Sequence, residues 1–115
     1  MDTKELVKVI YAALEDKKAE DISIIDIGGV SVIADYFIVA TAGNQNQLSA
    51  MQDEVDEKMH NAGCDVKQIE GNRSSTWILM DYGDIIVHLF SRDDRLFYNL
   101  ERIWQDGRII DVNSL

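Results

Sequence analysis

The chain contains no proline and a single cysteine, Cys64, and only 11 lysines and arginines stand against 21 aspartates and glutamates in 115 residues. Each shortage excludes something. One cysteine can neither close an internal disulfide nor build a thiolate metal cluster, so a reducing compartment is expected. A net charge of −10 at pH 7 is the wrong sign for a surface that must displace counterions from nucleic acid. Direct binding to DNA or RNA is therefore disfavoured, and a basic protein partner fits instead. No apolar run approaches the ~20 residues of a bilayer span, so no membrane partner is expected. The opening Met1-Asp2-Thr3-Lys4-Glu5 resembles neither a signal peptide nor an arginine-rich transit peptide, which predicts a cytoplasmic protein. Linker composition, low-complexity stretches and repeats are also missing, and one domain over 1–115 is expected.

What is there reads as globular: 46% hydrophobic and 28% charged residues. A chain of this length buries roughly two-thirds of its unfolded surface, enough for one core. Leu6, Val9, Ile10, Ala13 and Leu14 recur at helical spacing, and Asp2 with Glu5 resembles a capping box, predicting a helix over 3–18. Ile22 to Ile27 is a β-branched run stopped by Gly28-Gly29, hence a strand and a turn. Tyr36 to Ala42 is continuously apolar and predicts a strand buried on both faces. Leu48, Met51, Val55 and Met59 then line one face of a helix that Gly63 stops. Val66 to Ile69 predicts a short strand. Thr76 to Asp81 and Ile85 to Phe90 predict an antiparallel hairpin joined by Tyr82-Gly83-Asp84. A last helix is expected from Ser91 to Gly107, with Leu96, Leu100, Ile103 and Trp104 on one face. The order α-β-β-α-β-β-β-α predicts an α/β (α+β) fold, a mixed sheet of about five strands with helices packed on it.

Several groups of residues invite a chemical reading. Asp81-Tyr82-Gly83-Asp84 brings two carboxylates close together, as acid–base or metal chemistry requires. Asp and Gly are equally what a hairpin turn selects, and no further ligand cluster adjoins them in sequence, so the turn reading is preferred. His88 alternates with Ile86 and Phe90 on an apolar strand and reads as a satisfied, half-buried histidine before a ligand or base. His60 and Cys64 have the i, i+4 spacing of helical metal ligands but lack a third, and Gly63 interrupts them. Thr41-Ala42-Gly43-Asn44 has no Gly-Lys-Ser/Thr and reads as a strand-to-helix turn with Asn44 near the N-cap. No metal or cofactor is expected. Alternation places Trp77, Leu79 and Asp81 on one face and Ile78, Met80 and Tyr82 on the other. Both faces are largely apolar, so the sheet is either covered on both sides or leaves a patch for a partner. Core packing and an interface role for Trp77 stand level.

Taken in order, several segments resemble one family. They are Asp35-Tyr36-Phe37-Ile38-Val39-Ala40-Thr41-Ala42, Glu70-Gly71, the run from Trp77-Ile78-Leu79-Met80-Asp81-Tyr82-Gly83-Asp84 through His88 to Phe90, and Arg95-Leu96-Phe97-Tyr98-Asn99-Leu100-Glu101. Together they are similar to the Iojap family of ribosomal silencing factors from the first helix to about Asp106. The resemblance implies a nucleotidyltransferase-like topology, frequent homodimers, and a non-enzymatic factor that binds the large ribosomal subunit at protein L-fourteen. Occupying that site would block joining of the small subunit and repress translation when nutrients are scarce; a part in large-subunit maturation is also implied. By the same resemblance the docking residues would be Trp77, Met80, Asp81, Tyr82, Asp84 and His88, with Arg95 and Tyr98 from the last helix. An acidic factor with an aromatic anchor suits a basic ribosomal protein. Two other classes compete. One is a small nucleotidyltransferase-like or metal-dependent enzyme using Asp35, Asp81 or Asp84. The other is a dimeric scaffold whose apolar sheet face is its own interface.

Overall fold

The computed structural model describes residues 2–29, 32–71, 76–92 and 108–115, and the helix expected from Ser91 to Gly107 lies, but for its first two residues, outside them. Helix α1 (Thr3–Asp16) starts where Asp2 Oδ1 accepts the Glu5 amide at 2.8 Å. Helix α2 (Gln45–Asn61) starts the same way, with Asn44 Oδ1 accepting the Gln47 amide at 2.8 Å. Each cap satisfies a donor that the first helical turn leaves without a partner, a gain of about 1 kcal/mol. Gln47 does more. Its Oε1 accepts the Gly43 amide, and its Nε2 donates to the Lys17 and Lys18 carbonyls at 3.1 and 2.9 Å, tying the start of α2 to the end of α1.

Gly63 ends α2 as the sequence predicts. Its φ of +85° lets the Gly63 amide reach the His60 carbonyl and the Cys64 amide reach the Met59 carbonyl, both at 2.9 Å. That pair of bonds is a Schellman cap, which needs a left-handed residue at the glycine's position.

The strands are β1 (Glu20–Asp26), β2 (Tyr36–Ala42), β3 (Gln68–Glu70), β4 (Trp77–Asp81), β5 (Ile85–Ser91) and β6 (Arg108–Ile110). They form one sheet in the order β3-β4-β5-β2-β1-β6. Every neighbouring pair is antiparallel except β2 and β5, which run parallel at the centre with Tyr36 opposite Ile85 and Val39 opposite His88. Central placement explains why β2 is buried along its whole length.

Two expectations are corrected. The sheet has six strands where about five were predicted, because Arg108–Ile110 is too short to show a period and pairs at the far edge of β1. The first strand begins at Glu20 and not Ile22; a register shift between Glu20 and Ser23, with Asp21 at φ +49°, absorbs the extra residue.

Both faces of the sheet carry buried apolar residues. On one, Val7, Ile10 and Leu14 of α1 and Leu48, Met51, Val55 and Met59 of α2 pack on Ile38, Ala40, Ile78, Met80, Val87 and Leu89. On the other, Ile25, Ile27, Phe37, Val39, Ile86 and Phe90 are buried in a second cluster, with Trp77 and Leu79 half-buried against it. No helix among the described residues is long and apolar enough to cross a membrane.

Candidate functional site

The site grows from β4. Its five residues alternate between half-buried and buried, so Trp77, Leu79 and Asp81 share one face while Ile78 and Met80 point to the helices. Register carries the arrangement to the neighbouring strands. Leu79 stands opposite His88 on β5, and Gln68 and Glu70 on β3 stand opposite Asp81 and Leu79. Residues paired this way project from the same face, so Glu70, Leu79, Trp77 and His88 meet on the side away from α1 and α2.

Among the described residues, the rings of Phe90 and His88 hold Trp77. Its indole stacks on Phe90 with centroids 5.3 Å apart and an interplanar angle of 21°, and lies near-parallel to His88 at 6.0 Å. Indole Nε1 donates to His88 Nδ1 at 3.2 Å. The His88 ring meets Phe37 at 4.9 Å and 66°. Among the described residues, Phe37 from β2, Trp77 and Leu79 from β4, and Phe90 from its own strand face His88, and none of these titrates. Burial alone pushes its pKa down to about 4, and the ring is neutral at pH 7. With Nδ1 accepting, the proton sits on Nε2, which has no hydrogen-bond partner among the described residues.

Beside the indole lies a shallow pocket of about 220 Å³ lined by Glu70, Gly71, Trp77 and Leu79. Gly71 is there for a steric reason. At φ +101° a Cβ would sit 2.7 Å from the Trp77 carbonyl oxygen, so a side chain at 71 would push β4 away. At the far end of β4, Tyr82 N–H donates to the Ile85 carbonyl at 2.9 Å and Gly83 N–H to Asp81 Oδ1 at 2.7 Å, closing the hairpin. The Asp84 carbonyl then accepts the amides of both Asp35 and Tyr36, at 2.8 and 3.1 Å, fastening the turn to the start of β2. Lys67 lies across the turn: a Cβ on Gly83 would stand 2.7 Å from its ammonium nitrogen.

The structure thus gathers part of the expected docking set. Trp77 and Asp81 are half-buried on the aromatic face, and Asp84 is exposed on the turn. Met80 is 0% exposed, because alternation along β4 sends it into the helix-covered core, and it offers no surface to a partner. Tyr82 is 6% exposed on the same helix-covered side, and its buried hydroxyl is pushed to a raised pKa. His88, expected half-buried, is 5% exposed and serves Trp77 from below. Arg95 and Tyr98 lie outside the described residues. Glu70, Gly71 and Leu79 complete the pocket without having been foreseen; the missing signal was the pairing of β3 with β4, since the Glu70-Gly71 turn is visible in sequence but its neighbour is not.

The chemical alternatives find less. His60 Nδ1 pairs with Asp65 Oδ1 at 2.5 Å, and Cys64 is packed half-buried against the core. Among the described residues no three His, Cys, Asp or Glu side chains gather as a metal ion would require. Asp35 and Asp84 meet through their backbones, whereas Asp81 spends a carboxylate oxygen on its own turn. Asn44 fills the helix-cap role predicted for it.

Comparison with known proteins places this arrangement in context. The family model described as "Ribosomal silencing factor during starvation", RsfS, matches residues 1–115. A ribosomal silencing factor RsfS from Bacillus subtilis is 38% identical over 113 residues, covering 98% of this chain and 96% of that one. The protein of the same name from Zymomonas mobilis is 40% identical over 106 residues, 92% of this chain and 80% of that one. A crystal structure of a Chromobacterium violaceum protein superposes with a TM-score of 0.88 at 34% identity, covering 91% of this chain and 88% of that one. A Bacillus halodurans crystal structure gives 0.83 at 31% identity, covering 95% and 99%. The chloroplastic Iojap protein of Arabidopsis thaliana is 34% identical over 113 residues, 94% of this chain but 43% of that longer one. With its whole length matched and its fold shared, this chain belongs to the ribosomal silencing factor family, RsfS.

Proposed function

We propose that the whole chain, residues 1–115, acts as one unit that docks on the large ribosomal subunit through protein L-fourteen. There it blocks joining of the small subunit and represses translation when nutrients are limiting. The mechanism needs bulk and affinity at the joining face and no chemistry, so the chain works as a binding factor and not as an enzyme.

The pocket of Glu70, Gly71, Trp77 and Leu79 carries this reading. Its floor is aromatic and aliphatic and its rim holds a carboxylate, with Asp81 further along the same face. Such a surface accepts the aliphatic stem of a lysine or arginine while Glu70 meets its charged end. A net charge of −10 steers the chain towards a basic ribosomal protein. Trp77 supplies the buried area that dominates small interfaces.

Sedimentation with separated ribosomal subunits tests the proposal. Wild type is expected with the large subunit alone, and Trp77→Ala at the top of the gradient while retaining its folded circular dichroism. A wild type that stays at the top overturns the docking reading.

A further inference from the structure

We propose that His88 is a positioning residue: through the Trp77 Nε1 to His88 Nδ1 hydrogen bond it fixes the plane of the indole that forms the floor of the docking pocket. The inference rests on the docking reading and deepens it, because His88 itself is 5% exposed and presents almost no surface to a partner.

The geometry separates this role from ordinary packing. Trp77 is half-buried at the sheet margin, where an indole can turn about χ1 between staggered wells and about χ2 over a broad, roughly two-fold range. Stacking on Phe90 at 5.3 Å and 21° sets its distance from the sheet but tolerates rotation within the ring plane. The bond at 3.2 Å is a directional contact, and such a contact favours one orientation of the ring. It also occupies the indole's one polar hydrogen, which would otherwise be stripped of water when a partner covers the pocket.

Histidine suits the task for a reason that an apolar residue cannot meet. Nδ1 can accept because the ring is neutral, and the ring is neutral because Phe37, Leu79, Phe90 and the indole exclude water from it. The price of the arrangement is the buried Nε2, which has no hydrogen-bond partner among the described residues. A purely structural requirement at position 88, opposite Leu79 and beside Phe90, would be met better by leucine. An orphaned polar atom kept on an apolar face marks the other nitrogen as the one in use.

Two substitutions make the distinction measurable. Asparagine keeps an acceptor near the position of Nδ1 but buries a more polar group, whereas leucine fills the apolar site and removes the acceptor. A packing role therefore ranks His88→Leu above His88→Asn in every readout. A positioning role ranks His88→Asn above His88→Leu in affinity for isolated large subunits, whatever their order in stability. His88→Leu is expected to bind about tenfold more weakly than wild type and His88→Asn within about threefold of it.

The second readout is the indole Nε1–H resonance of Trp77 in a nitrogen–proton correlation spectrum of the free protein. It is told from that of Trp104, the other tryptophan, by its disappearance in Trp77→Phe. Wild type and His88→Asn should show a downfield, slowly exchanging indole proton, and His88→Leu an upfield, fast-exchanging one. An indole proton unmoved by His88→Leu overturns the proposal, as does wild-type affinity in a folded His88→Leu protein. If wild type itself fails to bind large subunits, the docking reading falls and takes the purpose of the bond with it, while the indole resonance still decides whether the bond orients Trp77.

Discussion

The two faces of β4 make opposite use of the same five residues. Ile78 and Met80 are sealed under two helices, aliphatic or sulfur-bearing and without a polar partner to satisfy. Trp77, Leu79 and Asp81, one residue out of phase, sit half-buried on a face built of rings and edged by carboxylates. Alternation of side chains lets one short strand anchor itself on one side and expose the face proposed for docking on the other. The sealed face gives stability; the half-covered strand face holds Trp77, Leu79 and Asp81 in a fixed shape, the one proposed to meet a partner.

Substitutions on the two faces should therefore separate folding from docking. The largest effect belongs to the sealed side. Met80→Ala is expected to lower unfolding free energy by about 2–5 kcal/mol in urea titrations, with the molecules that remain folded still docking normally. Loss of docking with unchanged stability would reverse the assignment of faces.

Acid probes the aromatic side. The folded pKa of His88 lies near 4, below the ordinary 6.5, so the unfolded chain binds more protons between those values. Stability contributed by the neutral ring is whole above about pH 6.5 and falls as pH drops towards 4, by about 3 kcal/mol in all. Comparing wild type with His88→Leu across that window should show a flatter curve for the variant; parallel curves would mean that His88 does not carry the difference.

Trp77→Ala comes next. Docking should weaken by more than ~2 kcal/mol, with a smaller loss of stability than Met80→Ala because the indole is half-covered. Titrating large subunits with both variants measures the two on one scale. The smallest change is electrostatic. Asp81→Lys with Asp84→Lys should slow association and flatten its dependence on salt, as rim charges do, leaving dissociation nearly unchanged. Stopped-flow traces that are identical over a salt series would remove these carboxylates from the encounter.

Most of this contrast was legible in the sequence and part was not, for identifiable reasons. Tyr36 to Ala42 declares a strand buried on both faces because seven residues between Asp35 and Gly43, all apolar but Thr41, are too few for a helix and too continuous for a half-exposed strand. Asp2, Asn44 and Gly63 announce helix ends through chemistry confined to one turn of chain. The opposition of Trp77 to Met80 also follows from alternation alone. Yet the resemblance that grouped Trp77, Met80, Asp81, Tyr82, Asp84 and His88 as docking residues runs along the chain, while burial runs across it; Met80 and Tyr82 belong to the core side. The pocket depends on Gly71 approaching the Trp77 carbonyl and on Glu70 standing opposite Leu79. Those are cross-strand facts, and no local pattern encodes which strand lies beside which. Arg108–Ile110 escaped for want of length.

The parallel contact of β2 with β5 has a kinetic corollary. Tyr36 must find Ile85, and between them lie all of α2, β3 and β4. Closing so long a loop precedes the contacts that reward it, a feature of slower-folding topologies. The Asp84 carbonyl takes its two amides from Asp35 and Tyr36 in the same event, so the acidic turn acquires its final position only when the centre of the sheet zips. A chain still emerging from synthesis, with β5 not yet made, would hold α1, β1, β2, α2, β3 and β4 but not the strand that joins β4 to the centre of the sheet. The docking edge proposed on β4 would then take its final place late and all at once, when β5 pairs with both β4 and β2.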